Sequence, residues 1–298
     1  MSHEHAMRDF KEKFMKSLFF IGGIGTILIL LLICLFLLTE TFSFFKTYPW
    51  IDFITGIEWK PGSNPEKYGI VPLIAGTGIV TTGAIALAVP VGILSAIYIS
   101  ELAGPKTAEI LKPAIELLAG IPSVVLGFFG MIFFVPKIQL LFDLTTGQTA
   151  LTGSIILAIM ALPTIISVSE DAISSVPNAL RQGALALGSN HWQAIYRVIV
   201  PAAFSGISAA VILGIGRAVG ETMAVMMVTG NMAIIPGSNV FLSSVRTITA
   251  TITLEMGEAA QGTAHYYALF AIGAVLFMMT FGINRVANSV KKRYNRSG

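Results

Sequence analysis

The sequence predicts an all-α polytopic membrane protein with six transmembrane helices. Three observations carry this. Of 298 residues, 54% are hydrophobic and 12% charged, against roughly 25% charged in a soluble domain. The apolar residues gather in runs near 20 residues, the length a helix needs to cross a bilayer. The basic residues collect at the ends of those runs, where they set topology. A net charge of +3 gives no reason to expect a nucleic-acid partner; the expected surroundings are lipid.

Residues 1–16 form a polar, basic tail with Arg8, Lys11, Lys13 and Lys16. The first span is expected at 17–38. Its apolar core exceeds the 7–15 residues typical of a signal peptide and no A-x-A site follows, so it reads as a retained helix. Gly22, Gly23 and Gly25 thin one face of it. Residues 39–68 form an external segment whose Tyr48, Trp50 and Trp59 suit a membrane-surface belt. The core then runs over 69–286. Its second span, 69–99, is uncharged and carries Pro90, which predicts a kink. Residues 101–112 are a charged connection. The third span is expected at 113–135, broken by Pro122, and 137–150 return to water. The fourth is expected at 151–168, the fifth at 202–228 and the sixth at 264–283. Between the last two lies an external segment, 229–262. Arg246 in its middle argues for a surface-lying or re-entrant stretch rather than another span. Residues 287–298 are a cytoplasmic basic tail.

Six spans bring both termini to one side. Thirteen of the 19 Lys and Arg residues fall on that side and five on the other, with Arg217 inside a span. The asymmetry predicts cytoplasmic termini. Cys34 is the one cysteine, so no intrachain disulfide can form.

The longest polar interruption of the second half lies within the 169–201 loop, at 181–201. Ala184, Leu185, Leu187 and Gly188 give one small apolar face at helical spacing. Gly188 followed by Ser189-Asn190 reads as a helix stop and a fresh cap. Pro201 reads as a first-turn proline opening the next span. The expectation is two short helices joined at a bend, on the cytoplasmic side, shaped to dock into a groove on another protein. An ordinary amphipathic loop is the competing reading. Glu170-Asp171 just before it reads first as a solvated helix end, and second as an anchor for the docking helices.

The fifth span carries Arg217 and Glu221. Each charge costs about 2.5–3.5 kcal/mol at mid-membrane on insertion scales. One helical turn apart, they are expected to pair, with Gly216 and Gly220 letting a partner helix come close. Two roles follow. The pair fixes helix packing, or Arg217 lines the path of an anion, which a guanidinium grips through parallel hydrogen bonds.

Three stretches carry a family resemblance. Residues 182–201 resemble the EAA loop of ABC-importer permeases, with Gln182-Gly183-Ala184 in the EAA position, Gly188 after it and Val198-Ile199-Val200-Pro201 at its end. Gln stands for Glu and Gly for Ala, which weakens any salt bridge carried over to position 182. GRAVGETMAV at 216–225 and GIPSVVLGFFG at 120–130 resemble helix signatures of the phosphate-specific permeases. FITGIEWKPGSNPEKYGIVPLIAGT at 53–77 resembles the outer segment of their PstC-type subunit. The resemblance implies a type I ABC importer permease with a MetI-like core, in a prokaryotic inner membrane. It implies a second permease of PstA type, two cytoplasmic ATPase subunits and an extracytoplasmic phosphate-binding protein. It assigns the substrate path to Arg217, Glu221 and Thr222, and ATPase coupling to Gln182, Gly183, Ala184, Gly188 and Pro201.

No phosphate-cradling P-loop is present; Gly104-Pro105-Lys106-Thr107 lacks the glycine before lysine. The chain is therefore expected to bind no cofactor and to leave ATP hydrolysis to a partner. No catalytic constellation or metal site is expected; His3-Glu4-His5 in a polar tail reads as solvated. Three functions stay open: phosphate import, import of another oxyanion such as molybdate or sulfate by the same machine, and a membrane scaffold that signals phosphate status.

Overall fold

The computed structural model of the protein describes the backbone of residues 2–294 and the side chains of residues 12–285. His3-Glu4-His5 and most of the two basic tails have side chains outside the described residues. The element order is α1 Ser2–Thr47, α2 Trp50–Thr55, a hairpin of β1 Trp59–Lys60 and β2 Lys67–Tyr68, then α3 Val71–Ile97. There follow α4 Pro105–Ala119, α5 Ser123–Phe129, α6 Val135–Leu141, α7 Ala150–Ser174, α8 Asn178–Ala186 and α9 His191–Ala194. The chain closes with α10 Val200–Gly220, α11 Met223–Val228, α12 Ile248–Glu255 and α13 Ala264–Tyr294. Three wide π turns, Tyr98–Leu102, Gly130–Phe134 and Ile195–Ile199, extend helices without breaking them.

Among the described residues six helical stretches are long and apolar enough to cross a membrane. They are Glu12–Thr47, Val71–Leu102, Ser123–Leu141, Ala150–Ser174, His191–Gly220 and Ala264–Arg285. The number agrees with the sequence expectation, and the bounds differ most in the first, third and fifth stretches, the fifth running His191–Gly220 rather than 202–228. The first helix continues past 38 to Thr47. Leu38-Thr39-Glu40-Thr41 carries polar side chains but no helix breaker, and the threonine hydroxyls bond back to carbonyls of their own helix. The third apolar stretch begins at Ser123 rather than at 113. Pro113 lies inside α4, where Lys106, Glu109, Lys112 and Glu116 recur at helical spacing. No α4 residue is buried. The true break is Ile121-Pro122, after which Pro122 leads into α5 with extended backbone.

The central rod is α7, packed between α3 and α10. Val80, Ala84 and Ala88 of α3 meet Leu157, Ala158, Ala161 and Ile165 of α7, with Ala218 and Val225 closing the cluster. Small residues make this contact possible, because in lipid the helices gain by close packing rather than by escaping water. Ser154 Oγ donates to Val80 O across the seam at 3.2 Å. Gly76 shows the limit of close approach: a Cβ there would sit 2.3 Å from the Arg246 carbonyl oxygen.

One end of the bundle carries an aromatic cap. Phe44, Phe53, Trp59 and Tyr68 are buried together with Leu73, Ile248, Leu269 and Ile272. Tyr68 packs edge-on against Trp59 and Phe44 at 5.6 Å. Trp59 is therefore core and not belt, whereas Trp50 remains 62% exposed. Burial pushes the Tyr68 phenol well above its ordinary pKa. On the hairpin surface, hydrogen bonds from Lys67 and Lys60 hold the Glu58 carboxyl below its usual range. The segment 229–247 closes over the same end without forming a long helix. Arg246 pairs with Glu255 at 2.7 Å, and Glu255 also accepts from Trp59 Nε1 at 2.9 Å and meets His265 at 2.9 Å. The charge of Arg246, which argued against a span, is thus neutralised within this cap.

Candidate functional site

The opposite end carries an elbow. Helix α8 ends at Ala186, and Gly188 takes φ +85°, a left-handed backbone that glycine adopts without a Cβ clash. Its neighbour Ser189 returns an N–H to Ala184 O at 3.2 Å. Asn190 and Gln193 then form a reciprocal capping box, Gln193 N–H to Asn190 Oδ1 at 2.8 Å and Asn190 N–H to Gln193 Oε1 at 3.0 Å. The stop and the fresh cap expected from the sequence are both present.

The second elbow helix departs from expectation. Pro201 sits in the first turn of α10 as expected, but α10 is not set apart from the elbow: the helical backbone is continuous from His191 to Gly220. A proline lacks the N–H that would serve the carbonyl four residues earlier. Here the turn ahead of it is widened, and Val200 N–H reaches back to Ile195 O. Of the residues assigned to coupling, Ala184 is buried and faces the bundle, while Gln182, Gly183 and Gly188 are exposed. Below them lies an apolar cluster of Ala96, Ile173, Val176, Ile195, Ile199 and Ala203. The outer face presents Leu180, Leu185, Trp192 and Tyr196, with Leu187 at 89% exposure.

Two further residues organise the elbow. Arg181 binds the Glu101 carboxylate at 2.6 Å, and Glu101 is 5% exposed. Glu170 is likewise buried, accepting from Ser174 Oγ at 2.6 Å and meeting Lys112 at 3.0 Å. The solvated reading thus fails for Glu170 and holds for Asp171, which is exposed. Sequence spacing gave no signal for either pair: Lys112 and Glu170 lie on different helices, as do Glu101 and Arg181.

The second zone is the junction of α10 and α11. The expected Arg217–Glu221 ion pair is not made among the described residues. The helix ends at Gly220, and Glu221 turns to an extended backbone, φ −69° and ψ 135°. Its carboxylate accepts the Ala224 N–H at 3.3 Å, satisfying one orphan donor at the start of α11. Its carbonyl accepts from Thr249 Oγ1 at 2.9 Å. Arg217 donates instead to Thr164 Oγ1 of α7, at 3.2 Å. Thr222 bridges the break, its hydroxyl 3.4 Å from Gly220 O. All three side chains are half-buried. Gly216 and Gly220 face open space, so the close helix partner expected there is not found among the described residues. Among the described residues a guanidinium with five donors is thus held by one hydroxyl and by no ion pair.

A broken helix that presents a cation thus lies in a bundle of six membrane-length helices with a helical elbow at one end. The chain belongs to the family described as "Binding-protein-dependent transport system inner membrane component", whose model matches residues 88–296. It is accordingly a multi-pass inner membrane component and not an enzyme; in this family ATP is used by separate subunits. The "Probable ABC transporter permease protein YqgH" of Bacillus subtilis is 44% identical over 231 residues, covering 78% of this chain and 74% of that one. The "Phosphate transport system permease protein PstC 1" of Mycobacterium tuberculosis is 34% identical over 282 residues, covering 83% of each. Among solved structures, a bacterial ABC transporter involved in the import of the acidic polysaccharide alginate superposes with a TM-score of 0.65 at 17% identity, over 97% of this chain and 99% of that one. That likeness establishes the fold alone, an ABC-importer permease bundle.

Proposed function

We propose that this chain is the PstC-type permease of an ATP-driven importer, and that it passes inorganic phosphate through the Arg217 zone. The observation that carries the reading is Arg217 itself: a half-buried guanidinium bonded to Thr164 and, among the described residues, in no ion pair. A cation left uncompensated in a membrane helix is costly, and an anion moving past it supplies the missing partner. The relatives named as phosphate permeases support phosphate as that anion.

The assembly has a second permease of PstA type, two cytoplasmic ATPases at the elbows and an extracytoplasmic phosphate-binding protein at the aromatic cap. The second permease covers the open face at Gly216 and Gly220. Both termini lie in the cytoplasm, as does the elbow. Closure of the ATPase pair moves α8 and α9, and the spans rock as rigid bodies between inward-open and outward-open forms. Thr222 and Glu221 hold the break that exposes Arg217.

The test is uptake of labelled phosphate into ATP-loaded liposomes holding the full complex. Unlabelled phosphate is expected to compete at least tenfold better than molybdate or sulfate. Equal or better competition by either of those assigns the machine to another oxyanion. ATP turnover with no anion uptake leaves a signalling scaffold.

A further inference from the structure

We infer that Arg181 and Glu101 form the latch that transmits elbow movement into the bundle. The inference rests on the elbow being the ATPase docking surface. Both elbow helices converge on Glu101. From α8, Arg181 reaches its carboxylate through Nε at 3.1 Å and Nη2 at 2.6 Å. From α9, His191 Nε2 donates to its carbonyl at 3.3 Å. Glu101 itself lies in the π turn that ends α3.

The same guanidinium holds a third element. Its Nη2 donates to Ile173 O at 3.0 Å and its Nη1 to Val176 O at 3.1 Å, carbonyls at and just beyond the C-terminal turn of α7. Ile173 O also accepts the Val176 N–H at 3.2 Å, so the guanidinium is a second donor to it, and a cation beside the carbonyls at a helix C-terminus is favoured by the helix dipole. Nη1 also donates to Asn178 Oδ1 at 2.8 Å, which fixes the side chain against its own helix. Arg181 therefore joins α8 to α3 and to α7 at once. A displacement of α8 cannot occur without moving α3, moving α7 or breaking this set of bonds. The rod α7 also bears Thr164, the residue that holds Arg217, so the latch and the anion zone share one rigid element. A planar fork is needed for this; a lysine makes no such divided contact. The widened turn at Tyr98–Leu102 gives the end of α3 room to yield.

The test uses the complete importer complex in liposomes and reads ATP hydrolysed per anion imported. The variants are Arg181→Lys and the double variant Arg181→Gln/Glu101→Gln, which removes both charges and so leaves no buried carboxylate unpaired. The ATPase subunit should stay bound and hydrolysis should stay within about twofold of wild type. Uptake should fall at least tenfold, so the ratio rises by a similar factor. The reversed pair Arg181→Glu/Glu101→Arg should recover part of the coupling relative to Arg181→Glu alone. A merely structural role lowers hydrolysis and uptake in proportion, and that result, or unchanged uptake, overturns the latch. The ratio is read with whichever anion the wild-type complex imports. A cargo other than phosphate then overturns the proposed function and leaves the latch readable.

Discussion

Arg217→Lys should cut anion uptake by roughly ten- to a hundredfold while leaving the complex assembled. The argument starts from what lysine keeps. It keeps the charge, and thus the long-range attraction for an anion. It loses the planar fork, so one of two parallel bonds to an oxyanion is lost. A hydrogen bond to a charged group contributes about 1.5–3 kcal/mol, and each 1.4 kcal/mol is about tenfold. Arg217→Ala removes attraction and fork together and should reduce uptake to background. The measurement is labelled-phosphate uptake normalised to complex recovered by co-purification. Full uptake in Arg217→Lys would remove Arg217 from the path. Glu221 sharpens the reading, because in this structure it caps α11 rather than balancing Arg217. A glutamine at that position keeps an acceptor for the Ala224 N–H, so uptake in Glu221→Gln should fall far less than in Arg217→Ala.

The second large effect belongs to the elbow surface. Leu187 is 89% exposed and Trp192 59% exposed, one on each side of the Gly188 turn in the chain. Exposed apolar groups of this size mark a protein contact, and a central tryptophan commonly contributes 2 kcal/mol or more to one. The double variant Leu187→Glu/Trp192→Glu should therefore reduce the ATPase retained on purification by roughly thirtyfold or more. Both side chains are mostly exposed, so thermal stability of the permease should largely hold. Unchanged ATPase retention would move the docking surface elsewhere.

Much of the architecture was legible because it follows from local chemistry. Apolar length gave the number of spans. Gly188 followed by Ser189-Asn190 announced a left-handed stop and a new cap, and both are present. The failures share a cause. The span over 113–135 was read from apolar content, which cannot tell a buried helix from an amphipathic one whose charges fall on one face. In α4 they do. The Arg217–Glu221 pair was read from spacing, which assumes that the helix continues. It ends at Gly220, and nothing in GRAVGET forces that end; the Thr249 hydroxyl that donates to the Glu221 carbonyl is 28 residues away. Thr164, Glu101 and Lys112 were invisible as partners for the same reason. Their contacts are made by helix packing, and a single sequence carries no record of which helices touch.

The central claim is that the elbow faces the compartment that holds ATP. Cys34 is the sole native cysteine, so Leu187→Cys in a Cys34→Ser chain offers one highly exposed thiol. In intact cells that make the permease without its ATPase subunit, so that the elbow is uncovered, a membrane-impermeant maleimide should leave Cys-free and Leu187→Cys chains equally unlabelled, and a permeant maleimide should label the latter alone. Labelling of the elbow by the impermeant reagent would contradict the account.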